Sequence, residues 1–126
     1  MNMAELLYKE ESYKIIGLCM DIHNELGKGF KEAVYKEALQ FELLNEAIKY
    51  EREKKFEIYY KGILLKQKYI ADFIVFDNIL LEIKATPIII NAFVAQTINY
   101  LKASGIRLGI IINFGEASLN YKRIVF

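Results

Sequence analysis

The feature that most constrains this chain is an apolar stretch, Tyr69 to Lys84, that contains three charged side chains. The stretch reads YIADFIVFDNILLEIK, which is typical of two buried strands joined near Asp77-Asn78. Burying a charge without a partner is costly. The sequence therefore predicts that Asp72, Glu82 and Lys84 form a site rather than part of an ordinary core.

The length of the loop between the two strands decides whether Asp72 joins the other two charges. Glu82 and Lys84 are two residues apart on one strand, so they share a face. A two-residue loop would turn Asp72 to the opposite face. A three-residue loop, residues 76–78, would place Asp72 opposite Glu82, and Asn78 suits the left-handed conformation that such a loop needs. The site prediction requires the three-residue loop.

Two carboxylates held side by side repel each other, and a divalent cation relieves that repulsion. Mg²⁺ favours a few carboxylates plus water molecules, and Mn²⁺ accepts similar ligands. A neighbouring lysine can assist an attacking water or stabilise charge on a phosphate. This grouping is suited to phosphodiester hydrolysis. The alternative is a buried ion pair of Asp72 with Lys84, with Glu82 at an edge of the sheet.

The order of the predicted elements favours a mixed sheet flanked by helices. A helix between two buried strands is typical of a crossover with parallel pairing, whereas the earlier hairpins are antiparallel. We therefore predict an α/β fold, or α+β by stricter naming, and one domain over residues 1–126. The predicted helices cover residues 4–26, 31–47 and 88–103. Pro87 marks the start of the third helix, and Ser104-Gly105 closes it. The predicted strands cover residues 49–60, 63–76, 79–85, 107–114 and 121–126.

Composition limits the protein classes that need to be considered. Apolar residues make up 54% of the chain, and the only cysteine is Cys19. No apolar run reaches the roughly 18 residues of a membrane span, and the N-terminus lacks the order of a signal peptide. We expect a cytoplasmic protein that is not in a membrane. With a net charge of +1, a polyanionic partner would need a local basic patch or a metal.

Several motifs resemble one known family in the same order along the chain. GFKEAVY is similar to the signature of the GxxExxY proteins, and YIADFIV, LEIKA, QTINYLKASG and LGIIINFG are similar to later segments of that family. An acid on one strand, Glu-x-Lys on the next and a helix with Gln-x-x-x-Tyr resemble the PD-(D/E)XK nuclease superfamily. Its fold is restriction-endonuclease-like, with a mixed central sheet flanked by helices. The resemblance covers about residues 14–126. The matching positions are Gly29, Glu32, Tyr35, Asp72, Glu82, Ile83, Lys84, Gln96 and Tyr100.

The resemblance implies a role for each of these positions. Asp72, Glu82 and the Ile83 carbonyl would bind the metal, with Glu32 as an extra acid from an N-terminal helix. Lys84 would be the catalytic lysine. Tyr35 would hydrogen-bond near the metal, and Gln96 and Tyr100 would support the site or orient substrate. The sequence departs from the family pattern at Ile70 and Phe93, where we expect a basic and a polar residue.

His23 is the only histidine, and it lies at the margin of the first helix's apolar stripe. A neutral imidazole there could bind Mn²⁺. The alternative is a packed, hydrogen-bonded histidine.

Together these observations predict a nuclease that depends on Mg²⁺ or Mn²⁺ and acts on nucleic acid, DNA in preference to RNA. The alternative hypothesis is a catalytically inactive binding or regulatory module with the nuclease fold. Such a module could be a homodimer, with the apolar first helix as its interface.

Overall fold

The structure, a computed structural model, describes residues 7–126, which form one mixed sheet with helices on both faces. The predicted fold class is confirmed. The first helix begins at Lys9, and residues 4–6 of its predicted range lie outside the described residues. The elements of the described part are α1 (Lys9–Leu26), α2 (Glu32–Asn45), β1 (Tyr50–Tyr60), β2 (Ile63–Val75), β3 (Ile79–Lys84), α3 (Asn91–Ser104), β4 (Leu108–Asn113) and β5 (Asn120–Val125).

The five strands of residues 7–126 lie in the order β1-β2-β3-β4-β5. Only the β3–β4 pair is parallel, and α3 makes the crossover between these two strands. β3 and β4 are buried along almost their whole length. Their near-continuous apolar sequences fit this position, because a strand covered on both faces has no polar side.

The helices form a layer on each face of the sheet. α1 and α2 cover one face, where Cys19 and Leu39 pack with Leu81 and Ile110. α3 covers the other face, where Leu101 packs with strand residues whose side chains point away from α1 and α2. The apolar side of α1, which we considered as a dimer interface, is buried in the first of these layers. Its buried residues are Ile15, Ile16, Leu18, Cys19 and Ile22.

The β2–β3 hairpin has the register that the site prediction required. Val75 pairs with Ile79, so the loop is residues 76–78. The prediction for Asn78 is wrong: the positive φ angles fall on Phe76 and Asp77, at 54° and 62°. Two successive residues with positive φ give a turn whose twist matches that of the flanking strands, and the Asn78 N–H donates to the Val75 carbonyl over 3.2 Å.

The segment between β3 and α3 is a loop rather than the start of the helix. α3 begins at Asn91 and not at Pro87 as predicted. The buried Asn113 side chain ties this loop to the end of β4, accepting from the Thr86 N–H over 3.0 Å and donating to the Thr86 carbonyl over 2.9 Å. These bonds hold residue 86 in a non-helical segment. The helix ends as predicted, at Gly105 with φ 74°.

Candidate active site

Asp72 and Glu82 meet where β2 and β3 separate. The two strands pair only over residues 73–75 and 79–81. Beyond that point the Asp72 N–H donates to Glu82 Oε2 over 3.0 Å, and the Ile83 N–H donates to Asp72 Oδ2 over 2.7 Å. Each carboxylate thus takes a backbone donor from the other strand, in a fork that we call the acid fork.

The neighbouring strand has an unusual backbone conformation beside the acid fork. Glu53 has φ 54°, and it lies in β1 between Arg52 and Lys54, which pair with Phe73 and Ala71. Phe73 packs in the α1–α2 layer, whereas Ala71 packs beneath α3. Residues 71 and 73, two apart on β2, therefore point to opposite helix layers. Asp72 lies between them, at the position where the orientation of the β1–β2 ribbon changes.

Burial and charge make Glu82 an unusual acid. Its side chain is only 4% exposed. Burial, and then the charge of Asp72, raise the pKa of Glu82 to about 8, although the Asp72 N–H, Lys84 and Lys36 act in the opposite direction. Burial and the neighbouring carboxylate therefore favour the protonated form of Glu82.

Lys36 on α2 is a site residue that the sequence reasoning missed. Its Nζ lies 2.8 Å from Asp72 Oδ1 and 3.0 Å from Glu32 Oε1, and its side chain is only 16% exposed. Burial acts to lower the Lys36 pKa, but the hydrogen bonds to Asp72 and Glu32 outweigh it and hold that pKa above its ordinary value. The four-residue spacing of Glu32 and Lys36 on a helix was the available signal.

Lys84 follows Glu82 on the same face of β3, beneath α3. Its Nζ lies 4.5 Å from the centre of the Phe93 ring. Phe93, a departure from the family pattern, thus provides an aromatic face for the ammonium group. The charge of Lys84 also acts on Glu82. The predicted alternative, an ion pair of Asp72 with Lys84, does not form, because Asp72 pairs with Lys36.

Tyr100 and Gln96 lie on α3, next to the site. Tyr100 stacks on Tyr69, with 3.2 Å between the ring centres. Burial, and then the charges of Glu82 and Asp72, raise the pKa of Tyr100, and a hydrogen bond with Gln96 opposes the shift. Gln96 itself is exposed. The Tyr69 hydroxyl, also missed from the sequence, is buried without a hydrogen-bond partner.

The structure corrects the position predicted for Tyr35. This side chain is fully buried and stacks on Phe114, with 4.5 Å between the ring centres. Its hydroxyl donates to the Gly27 carbonyl over 2.6 Å and accepts from the Phe30 N–H over 3.3 Å. Tyr35 therefore holds the loop between α1 and α2, whereas Glu32 faces Lys36. Tyr35 and Glu32 therefore do not contact the same groups.

The structure also corrects the prediction for His23. The ring is buried against Phe114, and its Nε2 lies 2.9 Å from the Glu116 carbonyl oxygen. This is the packed, hydrogen-bonded histidine of the alternative reading. We therefore leave His23 out of the candidate ligand set.

Comparison with known proteins agrees with this geometry. A model of the PD-(D/E)XK nuclease superfamily matches residues 9–124, almost the whole chain. The chain belongs to this superfamily. No curated protein is significantly similar to it.

A solved structure has the same PD-(D/E)XK fold. The crystal structure of SSO0001 superimposes with a TM-score of 0.59 and 21% sequence identity, covering 94% of this chain. The alignment covers 59% of SSO0001, so this chain spans less than two thirds of that protein. Within residues 7–126, no helix is both long and apolar enough to cross a membrane.

The PD-(D/E)XK acid fork offers the donors that hard divalent cations prefer. Asp72, Glu82 and Glu32 carry carboxylate oxygens, and Ile83, whose N–H donates to Asp72, carries a carbonyl oxygen. In the described part of the chain, no three acidic, histidine or cysteine side chains are arranged around a common metal position. The Lys36 ammonium group instead bonds to Asp72 and Glu32 together. Oxygen donors of this kind are the ones that Mg²⁺ and Mn²⁺ prefer.

Proposed function

We propose that this PD-(D/E)XK protein is a nuclease, a single domain over residues 1–126, that depends on Mg²⁺ or Mn²⁺ and prefers DNA to RNA. The observation that carries the proposal is the meeting of the Asp72 and Glu82 carboxylates in the acid fork. Lys84 follows on the same strand. Charge stabilisation and an activated water are what phosphodiester hydrolysis requires.

Asp72, Glu82, the Ile83 carbonyl and Glu32 are the groups that would hold the cation. A bound Mg²⁺ or Mn²⁺ supplies positive charge against the negative charge that develops on the phosphate, and it makes water more acidic. Glu82 must lose its proton before it can bind, because a metal ligand must be deprotonated. The charges of Lys84 and Lys36 favour that loss.

Lys84 is the group that we assign to the reacting water and phosphate. In hydrolysis the water oxygen bonds to phosphorus, one phosphorus–oxygen ester bond breaks, and the leaving oxygen takes up a proton. A lysine ammonium beside the phosphate stabilises the charge that builds up during this exchange. Phe93 limits the positions that the Lys84 ammonium can occupy, because the ring holds the Nζ at 4.5 Å from its centre.

Lys36 balances the charge of the acid fork when no metal is present. Its ammonium group bonds to Asp72 and Glu32 together. A divalent cation at Asp72 would repel this ammonium group and displace it. We infer that Lys36 then turns toward the phosphate.

Gln96 and Tyr100 are proposed as supporting residues on α3. The stack of Tyr100 on Tyr69 and the action of the Glu82 charge on Tyr100 support this proposal. Membership of the narrower GxxExxY family is part of the same proposal, supported by Gly29, Glu32 and Tyr35. In that case Tyr35 belongs to the signature because it holds the loop, not because it contacts the metal.

A specific observation favours one second candidate, a non-catalytic binding or regulatory module. Lys36 already bonds to both Asp72 and Glu32 without a metal, as in a site that has lost its cation. A homodimer, which we also expected, remains a proposal for either candidate.

The deciding experiment is a cleavage assay. Purified protein is incubated with end-labelled single- and double-stranded DNA and RNA, with Mg²⁺, Mn²⁺ or EDTA. We expect metal-dependent cleavage that falls at least about 100-fold in Asp72→Asn. The matched control, Asn24→Asp, changes one exposed amide to a carboxylate on α1. Absence of cleavage with every substrate would favour the non-catalytic module, and equal cleavage by Asp72→Asn would show that the acid fork is not the active site.

A further inference from the structure

The β1–β2 hairpin extends well beyond the rest of the sheet. β2 pairs with β3 only over residues 73–75, whereas its earlier part pairs only with β1. We call residues 54–68, which include the turn at Lys61-Gly62, the hairpin arm. The inner side of the arm packs beneath α3 through Phe56 and Ile58. Its outer side has no covering element among the described residues.

Positive charge is concentrated on the hairpin arm. It contains five lysines and a single glutamate, a net charge of +4, whereas the whole chain has a net charge of +1. All other residues together therefore carry a net negative charge. Two of the lysines lie near acids, Lys54 at 3.3 Å from Glu51 and Lys68 at 3.8 Å from Glu57. Across residues 7–126, no acidic side chain pairs with Lys55, Lys61 or Lys66.

Exposed aromatic and aliphatic side chains lie between these lysines. Tyr59 is 62% exposed, Leu64 is 48% exposed and Ile70 is 49% exposed. The members of each cross-strand pair share a face, Tyr59 with Leu64 and Lys55 with Ile70. The register of β1 and β2 shifts between Glu57 and Tyr59. Side chains this apolar are unusual on an uncovered two-stranded ribbon, where they expose the protein to association. The outer face of the arm therefore fits a partner that is both anionic and able to stack.

The outer face of the arm leads to the acid fork. Lys66, Lys68 and Ile70 are exposed, and they alternate along β2 with the buried Tyr69 and Ala71. Two residues after Ile70 on β2 is Asp72, whose side chain is 16% exposed. At about 3.3 Å per residue, Lys66 lies roughly 20 Å from Asp72 along the strand.

We propose that the outer face of the hairpin arm binds single-stranded nucleic acid and guides it toward the acid fork. This inference rests on the proposed nuclease function and names the substrate form. Lys55 and Lys66 contact phosphates, which supply most of the affinity and its salt dependence. Tyr59, Leu64 and Ile70 contact base faces, which are accessible when the bases are unpaired. A duplex with a single-stranded end or flap binds to the arm only through its unpaired nucleotides.

The test measures binding without cleavage. Fluorescence anisotropy of a labelled 20-nucleotide oligothymidylate is followed in EDTA over a range of salt concentrations. We expect the double variant Lys55→Gln/Lys66→Gln to bind about tenfold more weakly. The plot of log affinity against log salt concentration should become shallower: the magnitude of its negative slope should fall by about 1.4, the value for two lost contacts to a single strand. The matched control, Lys14→Gln/Lys122→Gln, removes two lysines from α1 and β5 and should keep the wild-type slope.

A second variant tests the contacts to bases. Tyr59→Ser should weaken binding to the oligothymidylate about tenfold, and binding to a blunt duplex of equal length much less, because duplex bases offer no free face. Equal binding by wild type and the arm variants would overturn the proposal. Tighter binding to the duplex than to the single strand would also overturn it. So would a dimeric wild type that Leu64→Ser converts to a monomer without changing the binding of the oligothymidylate, because the outer face of the arm would then be a dimer interface.

The two proposals fail in different ways. If the arm variants lose binding in EDTA but the wild type cleaves nothing with Mn²⁺, the arm inference stands and the nuclease function fails. If the wild type cleaves and the arm variants bind and cleave like the wild type, the nuclease function stands and the arm inference fails.

Discussion

The Nζ of Lys36 lies 2.8 Å from Oδ1 of Asp72, the carboxylate whose other oxygen accepts the Ile83 N–H. A lysine from α2 thus reaches the point where β2 and β3 separate. The same ammonium group lies 3.0 Å from Glu32, so two of the three acids at this site share one positive charge. A divalent cation that binds Asp72 must therefore compete with Lys36.

Lys36→Met should destabilise the metal-free protein and strengthen metal binding. The substitution leaves Asp72 without its cation beside Glu82, which should cost about 1–3 kcal/mol of unfolding free energy. The same change removes the competitor of the metal. Thermal melting with and without Mn²⁺ measures both effects, since a ligand that binds the folded state raises the melting temperature.

Lys14→Met is the matched control for this variant, because Lys14 pairs with Glu46 at 3.3 Å on the exposed surface. Exposed pairs contribute little, so its stability and its response to Mn²⁺ should stay close to wild type. A Lys36→Met protein with a smaller rise in melting temperature on adding Mn²⁺ than wild type would show that Lys36 assists the metal rather than competes with it.

Glu82 should make the protein less stable as pH rises. Its pKa is raised from 4.5 to about 8 in the folded protein, so between these values the folded state holds more protons than the unfolded state. The stabilisation is complete below about pH 4.5 and is lost as pH rises toward 8, by up to about 1.4 kcal/mol per pH unit.

Urea unfolding of wild type and Glu82→Gln across pH 5–9 isolates this contribution. The variant cannot titrate at this position, so its stability should fall less with pH, and the difference between the two proteins should level off above about pH 8. Glu37→Gln, which removes an exposed carboxylate on α2, is the control. Parallel curves for wild type and Glu82→Gln would show that Glu82 has an ordinary pKa.

Lys84→Met should abolish cleavage while preserving the fold. Methionine keeps the apolar contact with the Phe93 ring but removes the charge, so we expect a loss of about 100-fold or more in kcat. Lys9→Met also removes an ammonium group near an aromatic ring, 5.8 Å from the centre of Tyr13, and should cleave at the wild-type rate. Wild-type kcat in Lys84→Met would remove Lys84 from the mechanism.

Tyr35→Phe should reduce stability without changing metal binding. The hydroxyl donates to Gly27 over 2.6 Å and accepts from Phe30 over 3.3 Å, so its loss should cost about 1–2 kcal/mol. Urea unfolding and Mn²⁺ titration of the same variant separate the two effects. A weaker affinity for Mn²⁺ at unchanged stability would return Tyr35 to the metal site.

The meeting of Asp72 with Glu82 was one of two outcomes that the sequence allowed, because strand alternation leaves the length of the turn open. The structure has the three-residue loop that the site prediction required, with Val75 opposite Ile79. The parallel pairing of β3 with β4 followed from the helix between two apolar strands. The superfamily motifs pointed to the same fold.

Lys36 and the final position of Tyr35 could not be predicted, because both depend on contacts between distant parts of the chain. The ion pair of Lys36 with Asp72 requires the position of α2 over the acid fork. The hydroxyl of Tyr35 finds Gly27 only in the folded loop, and α3 starts after Pro87 because Asn113 holds Thr86 in a loop. Periodicity along one helix does not contain this information.

Calorimetric titration with Mn²⁺ tests the central claim most directly, since it requires neither a substrate nor cleavage. Wild type, Asp72→Asn and the control Asn24→Asp are titrated at pH 8, where Glu82 can lose its proton. The account predicts saturable binding by wild type and by the control, and at least tenfold weaker binding by Asp72→Asn. Absence of binding by wild type, or equal affinity in Asp72→Asn, would contradict a metal site in the acid fork.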